Sequence, residues 1–292
     1  MANTQDIRRR IKSIRNTSQI TKALQMVAAS KMRKAQMAAL AGRPYASLLN
    51  RVLVSLQHRT DSKLHPLLQK RELKKELVVV LSTDKGLAGP LNTNLFREVA
   101  KFEPEKAVYV TSGAKGRQFV VRTRRELIAD FPLKDSPAFV ETKEISRFAL
   151  EKFLNGEVDK VSVLYTHFIN TINQNPVTQT LLPISPFDLP KVAGAGTASP
   201  DVSKDPMLGY LFEPNPEAVL DVMLPYYLHY QVYQMVLDAR ASEHSSRMVA
   251  MKNATDNAKQ FIKDLTLEYN KMRQASITTE LLEIATAQMG SG

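Results

Sequence analysis

Neither glycine nor proline occurs between Tyr226 and Met289, and neither occurs before Gly42. All the prolines fall between Pro44 and Pro225, so both ends of the chain read as uninterrupted helix. Roughly sixty helical residues at about 1.5 Å each make a rod of about 95 Å. A compact globule of this chain length has a radius of gyration of about 19 Å. Such a rod is expected to protrude from the globule and to reach into something else.

The 292 residues, 43% of them apolar, suffice for one sizeable core plus a second element. Cysteine is absent, which excludes disulfides, thiolate catalysis and Cys-type zinc sites, and fits a reducing compartment. Apolar runs such as Leu77–Leu81 are far shorter than the roughly 20 residues that span a bilayer, and no signal-peptide segment is expected. The Arg-rich start has the composition of an organellar transit peptide. Its apolar spacing continues into the following helix, which favours a segment retained in the mature protein.

The net charge of +11 is unevenly placed. Ten bases precede Pro44 against the single acid Asp6, whereas residues 226–292 hold seven bases and seven acids. Nearly all the excess therefore sits on one helix, as a solvated basic face or as a surface for an acidic partner or nucleic acid.

In the first helix Ile7, Ile11, Ile14, Ile20, Leu24 and Val27 fall near helical spacing and predict one apolar stripe. Gly42 and Pro44 are expected to break or kink it. In the last helix, alternating four- and three-residue steps run from Tyr230 through Leu237, His244, Met251 and Ala258 to Met272, which predicts a coiled coil. Its seam is weak at Ala241, His244, Thr255 and Ala258, and a kink or helix start is expected at Pro225.

The middle alternates strands (Glu76–Ser82, Ala107–Thr111, Glu126–Asp130, Val161–Ile169, Val177–Ile184) with helices near Asn92–Phe102, Lys115–Val121 and Thr142–Asn155. That order predicts a mostly parallel α/β sheet with an antiparallel pair at its end. The fold expected is α+β: a long antiparallel coiled coil of the N- and C-terminal helices with an inserted Rossmann-like α/β domain. The divisions are residues 1–58, the first coiled-coil helix; 75–190, the α/β foot; 191–209, a Gly/Ala/Ser/Pro-rich mobile loop; and 210–292, the second coiled-coil helix.

Chemistry is sparse. Thr83–Gly89 sits where a phosphate loop would, yet lacks the Gly-x4-Gly-Lys-Ser/Thr spacing, and Ser112–Gly116 lacks a dinucleotide fingerprint. Both read as tight turns from strand to helix. The five histidines show no metal-ligand spacing, and Ser245 and Ser246 lack a nucleophile elbow. No catalytic residue, cofactor site or metal site is expected. Two other classes remain in view: a coiled-coil nucleic-acid-binding protein, suggested by charge alone, and a nucleotide-binding α/β enzyme.

The segment from Ile20 to Ala35 (ITKALQMVAASKMRKA) resembles the N-terminal helix of the gamma subunits of F-type ATP synthases. Ser82–Leu87, Phe168–Thr171, Leu211–Pro216, Arg247–Asn257 and Tyr269–Ile284 resemble further segments of that family, in order. The resemblance implies a rotating central stalk, non-catalytic alone, that couples transmembrane ion flow to ATP synthesis or hydrolysis. It implies the alpha and beta subunits of a hexamer, the epsilon subunit and the membrane c-ring as partners, with no nucleic acid. It also implies a peripheral location on the cytoplasmic face of a bacterial inner membrane. Contacts to alpha and beta are expected at Leu24, Met26, Lys31, Arg33, Lys34, Arg247, Gln274, Thr278 and Glu280. Foot contacts to epsilon and the ring are expected at Leu208, Tyr210 and Glu213. The tip from Ala275 onward carries only Glu280 and Glu283 as charges, which suits a bearing. Ala88 and Pro90 stand where many relatives have Cys and Gly.

Overall fold

A computed structural model describes residues 4–57, 65–184 and 212–290. The chain divides into two compact units. One comprises residues 29–246, the other residues 1–28 together with 247–292. Two long helices, α1 (Thr4–Gln57) and α5 (Pro216–Gly290), each contribute to both.

In the unit of residues 29–246 a five-stranded sheet has the order β3-β2-β1-β4-β5. The strands are β1 (Glu76–Leu81), β2 (Ala107–Ser112), β3 (Glu126–Asp130), β4 (Lys160–Phe168) and β5 (Gln174–Leu182). The first four in spatial order run parallel, and β5 pairs antiparallel with β4. Helices α2 (Leu91–Val99), α3 (Ala114–Arg122) and α4 (Phe139–Leu154) connect them. β1 and β2 are buried at every position, as central parallel strands covered on both faces must be, and their sequences are correspondingly near-continuous apolar runs. β5 is half-buried or exposed over most of its length and holds Pro176, which an edge strand tolerates because one row of N–H groups faces outward.

The two sheet faces carry separate cores. On one face α2 and α3 pack Leu95, Val99 and Val120 against Val78, Val80, Tyr109 and Leu164. On the other, Leu53 and Leu56 of α1 and Leu224, Leu228, Val232 and Val236 of α5 join Leu77, Val79, Val163 and Phe153.

Gly42 and Pro44 do not break α1, which runs through both. A proline inside a helix costs about 3 kcal/mol, which the tertiary packing around it offsets. Tyr45 packs edge-on against Tyr226 and Tyr230 of α5, and the Tyr230 hydroxyl donates to the Gly42 carbonyl. A Cβ on residue 42 would collide with that hydroxyl and with the Gln234 amide. Glycine is there to let two helices approach, and helix continuity follows. α5 likewise starts before Pro225: Asn215 caps it by accepting the Ala218 N–H at 2.7 Å, and Pro216 occupies the first turn, where its missing N–H costs nothing.

In the unit of residues 1–28 and 247–292, burial on α5 follows the heptad positions. Met251, Thr255 and Ala258 are buried, and Ile262, Leu265, Tyr269 and Met272 half-buried, between exposed neighbours. The α1 seam differs from the stripe expected. It passes through Ile7, Ile11, Ile14, Ser18, Thr21, Gln25 and Ala28, a strict four-three alternation, and leaves Ile20, Leu24 and Val27 exposed. The small polar residues at 18, 21 and 25 hid the true phase. At the centre, the Thr21 and Thr255 hydroxyls share a buried 2.7 Å hydrogen bond.

Candidate functional site

Doubly wound sheets place ligands outside the carboxyl ends of their strands, where the strand order reverses. Here that point lies between β1 and β4. α5 occupies it. Residues 240–246 of α5 are all buried, although six of the seven, Arg240, Ser242, Glu243, His244, Ser245 and Ser246, are polar or charged.

The three serines are held by backbone carbonyls at the end of β4 and in the loops beyond β1 and β4. Ser242 donates to the Thr166 carbonyl at 2.9 Å, Ser245 to the Thr171 carbonyl at 2.9 Å, and Ser246 to the Ala88 carbonyl at 2.7 Å. One turn earlier, Asp238 bonds His167 Nδ1 through one carboxylate oxygen and accepts the Phe168 N–H at 3.2 Å through the other. The Asp238 hydrogen bond raises the His167 pKa, against the lowering effect of burial. His229, two turns earlier still and bonded to Ser146, goes the other way: burial lowers its pKa, and Lys143 and Arg147 add to the effect.

Arg240 is the centre of the collar. Its Nη1 donates to Glu243 Oε2 at 2.8 Å, and Nη2 to the Leu133 carbonyl at 2.9 Å and to Asp84 Oδ2 at 3.3 Å. Burial works against the Arg240 charge, yet Glu243 and Asp84 hold its pKa above the ordinary guanidinium value. Asp84 also accepts the Ala114 N–H at the start of α3 through Oδ1, 3.1 Å away. A single carboxylate thus links α5 to the sheet's outer helix layer. Gly113, at φ +112°, lies so close to the Ser82 backbone that no side chain fits, which fixes the turn into α3.

The space left beside Arg240 and Glu243, lined also by Leu81, Ser82, Asn92 and Ser112, is a cavity of about 20 Å³. That holds one water, where a small-molecule pocket takes upwards of about 300 Å³. Among the described residues no three His, Asp or Glu side chains gather as a metal site. The chemistry this arrangement can perform is mechanical: it joins a long helix to a sheet domain through directional bonds.

The residues singled out in the sequence fall in different places. Leu24, Met26, Arg33, Lys34, Gln274, Thr278 and Glu280 are exposed, with Met26 at 60%. Arg247 is half-buried. Lys31 is committed within its own unit, paired with Asp135, whose pKa it lowers. Glu213 is exposed just before α5, whereas Leu208, Tyr210 and the 191–209 loop lie outside the described residues. The collar itself was not anticipated, because polar residues in a helix read as solvated and their partners are distant in sequence.

Known proteins match the chain from end to end. A family model described as ATP synthase matches residues 3–289. The ATP synthase gamma chain of Methylacidiphilum infernorum is 50% identical over 297 residues, covering all of both chains. That of Opitutus terrae is 50% identical over 296 residues, covering 100% of this chain and 99% of its own. Among solved structures, a chain from the central stalk and c-ring of the Tetrahymena thermophila mitochondrial ATP synthase superposes with a TM-score of 0.61 at 27% identity. The match covers 80% of this chain and 99% of that one. A chain from the Euglena gracilis mitochondrial enzyme shares the fold, with a TM-score of 0.68 at 20% identity over 98% of this chain and 94% of its own.

Proposed function

The chain belongs to the ATP synthase gamma-chain family, and on that premise we propose how its surfaces serve the enzyme. It is the turning central stalk of the complex, without catalysis of its own, coupling ion flow across a membrane to ATP synthesis or hydrolysis in the alpha/beta hexamer. Epsilon and the c-ring hold its foot. Among the described residues no helix is long and apolar enough to cross a membrane. We place the protein as a peripheral subunit on the cytoplasmic face of a bacterial inner membrane.

The observation that supports this most is the far end of α5. Counting back at equal rise from the Thr21–Thr255 contact, Thr4 at the start of α1 lies alongside about Met272. From 273 to 284 every residue is exposed, Ile277, Leu281, Leu282 and Ile284 included. Apolar side chains with no seam to enter suit a surrounding sleeve, in which few directional bonds break as the tip turns. In this reading Leu24, Met26, Arg33, Lys34, Arg247, Gln274, Thr278 and Glu280 face alpha and beta. Lys31 acts through its Asp135 pair, and Leu208, Tyr210 and Glu213 face epsilon and the ring.

Co-expression with the alpha and beta subunits tests it. The expected result is stoichiometric co-purification of an ATP-hydrolysing complex that survives high salt. Binding that collapses between low and moderate salt and retains nucleic acid would instead support the zipper-like alternative, since phosphate contacts weaken steeply with salt.

A further inference from the structure

Apolar burial holds α5 on the sheet domain, but burial is non-directional. A helix can turn or slide against an apolar bed while keeping most of its buried area. Transmitting a twist needs bonds that lengthen when the helix rotates. Such bonds resist best when they act at the helix circumference, about 5 Å from the axis, and when they are anchored at separate points.

Arg240 meets both conditions. It is 5% exposed, and its guanidinium reaches Asp84 in the loop after β1 and Leu133 in the loop after β3. Those strands lie two apart in the sheet, hence about 10 Å at their ends. Glu243, one turn on, fixes the fork from the helix side, and Asp84 passes the link to α3. Bonds to charged groups out of water are short, strong and directional.

We propose that Arg240 is a positioning residue that keys α5 to the sheet domain, so that a turn applied to the domain reaches the helix without slip. The proposal rests on the rotor reading above. Ser242 and Ser246 brace the same junction through one backbone carbonyl each, and Ser245 through the Thr171 carbonyl and the Gln174 side chain. Arg240 ties α5 to two separate loops, one of them by an ion pair.

The test uses the full chain in the assembled complex, in vesicles, comparing ATP-driven ion pumping with ATP hydrolysis in the same sample. Arg240→Met and the milder Asp84→Asn are each compared with the parent. The key predicts that ions pumped per ATP hydrolysed fall by about fivefold or more in Arg240→Met and by less in Asp84→Asn. The parent has no cysteine, so an Ala88→Cys/Ser246→Cys pair, placed where side chain and backbone already touch, can relock the junction. Oxidation to the disulfide should restore the ratio in Arg240→Met, and reduction should remove it again. A parent-like ratio in both variants overturns the proposal. So does a low ratio that the formed disulfide leaves unchanged, since loss of locking would not then be the defect. Should Arg240→Met fail to assemble, Asp84→Asn with and without the disulfide decides alone. A parent chain that forms no coupled complex would defeat the rotor reading itself, whatever these variants do.

Discussion

Two stretches of α5 invert the usual pattern of a helix in opposite senses. Residues 240–246 are mostly polar and wholly buried; residues 273–284 contain four large apolar side chains and are wholly exposed. In the first, burial is tolerable because β4 and the loops beyond the strands supply partners for Arg240, Ser242, Ser245 and Ser246, and Arg240 itself pairs with Glu243. In the second, no described residue covers the side chains, since described α1 begins at Thr4, level with about Met272. The difference separates what must be fixed from what must turn. Directional bonds concentrate where slip would waste motion, and weakly directional apolar surface is left where slip is the purpose.

The largest effect should come from breaking the buried side of this contrast. Arg240→Met removes one partner of a buried ion pair with Glu243, 4% exposed, at a cost of about 3–5 kcal/mol. Denaturant unfolding of the full chain should show it, whereas Leu281→Ser at the exposed end should change stability by less than about 0.5 kcal/mol. Equal effects would erase the contrast. Gly42→Leu comes next: its side chain has no room beside Gln234 and Tyr230, and overpacking costs about 1–3 kcal/mol.

A finer test lies at the seam. Thr21→Val or Thr255→Val alone removes half of a buried pair at about 0.5–1.5 kcal/mol. The double variant should cost less than the sum of the two singles, because the shared bond is lost only once and each hydroxyl also donates within its own helix. The smallest effect is a pH dependence of the collar. The folded-state pKa of His167 is raised by Asp238, so its contribution is complete below the unfolded value of about 6.5. It is lost as pH rises through the raised value. Thermal unfolding followed across that window should lose stability with rising pH in the parent, and lose less of it in His167→Gln.

The strands were legible because buried parallel strands are written as apolar runs: Leu77–Leu81 admits little else. The α5 heptads were legible from the four-three rhythm of Met251, Thr255 and Ala258. Three things were not. The α1 seam was mistaken because Ser18 and Thr21 carry its phase while Ile20 and Val27 point elsewhere. Gly42 read as a breaker because local propensity says nothing of a tyrosine hydroxyl 188 residues away. The collar was invisible because Arg240 and Asp84 are 156 residues apart, and Arg-Ala-Ser-Glu-His-Ser-Ser on a helix looks like a wet surface. Of the residues proposed to face partners, Leu24, Met26 and Gln274 are exposed, and the partners proposed for them rest on the resemblance alone.

The central claim is that the sheet domain and the long helix turn together inside a stationary partner. Its most direct test attaches a probe to a single cysteine introduced at Ile172, a position 80% exposed on the sheet domain, in complexes immobilised through the hexamer. During ATP hydrolysis the account predicts persistent rotation of the probe in one direction. A probe that stays fixed, or wanders without direction while ATP is consumed, would contradict it.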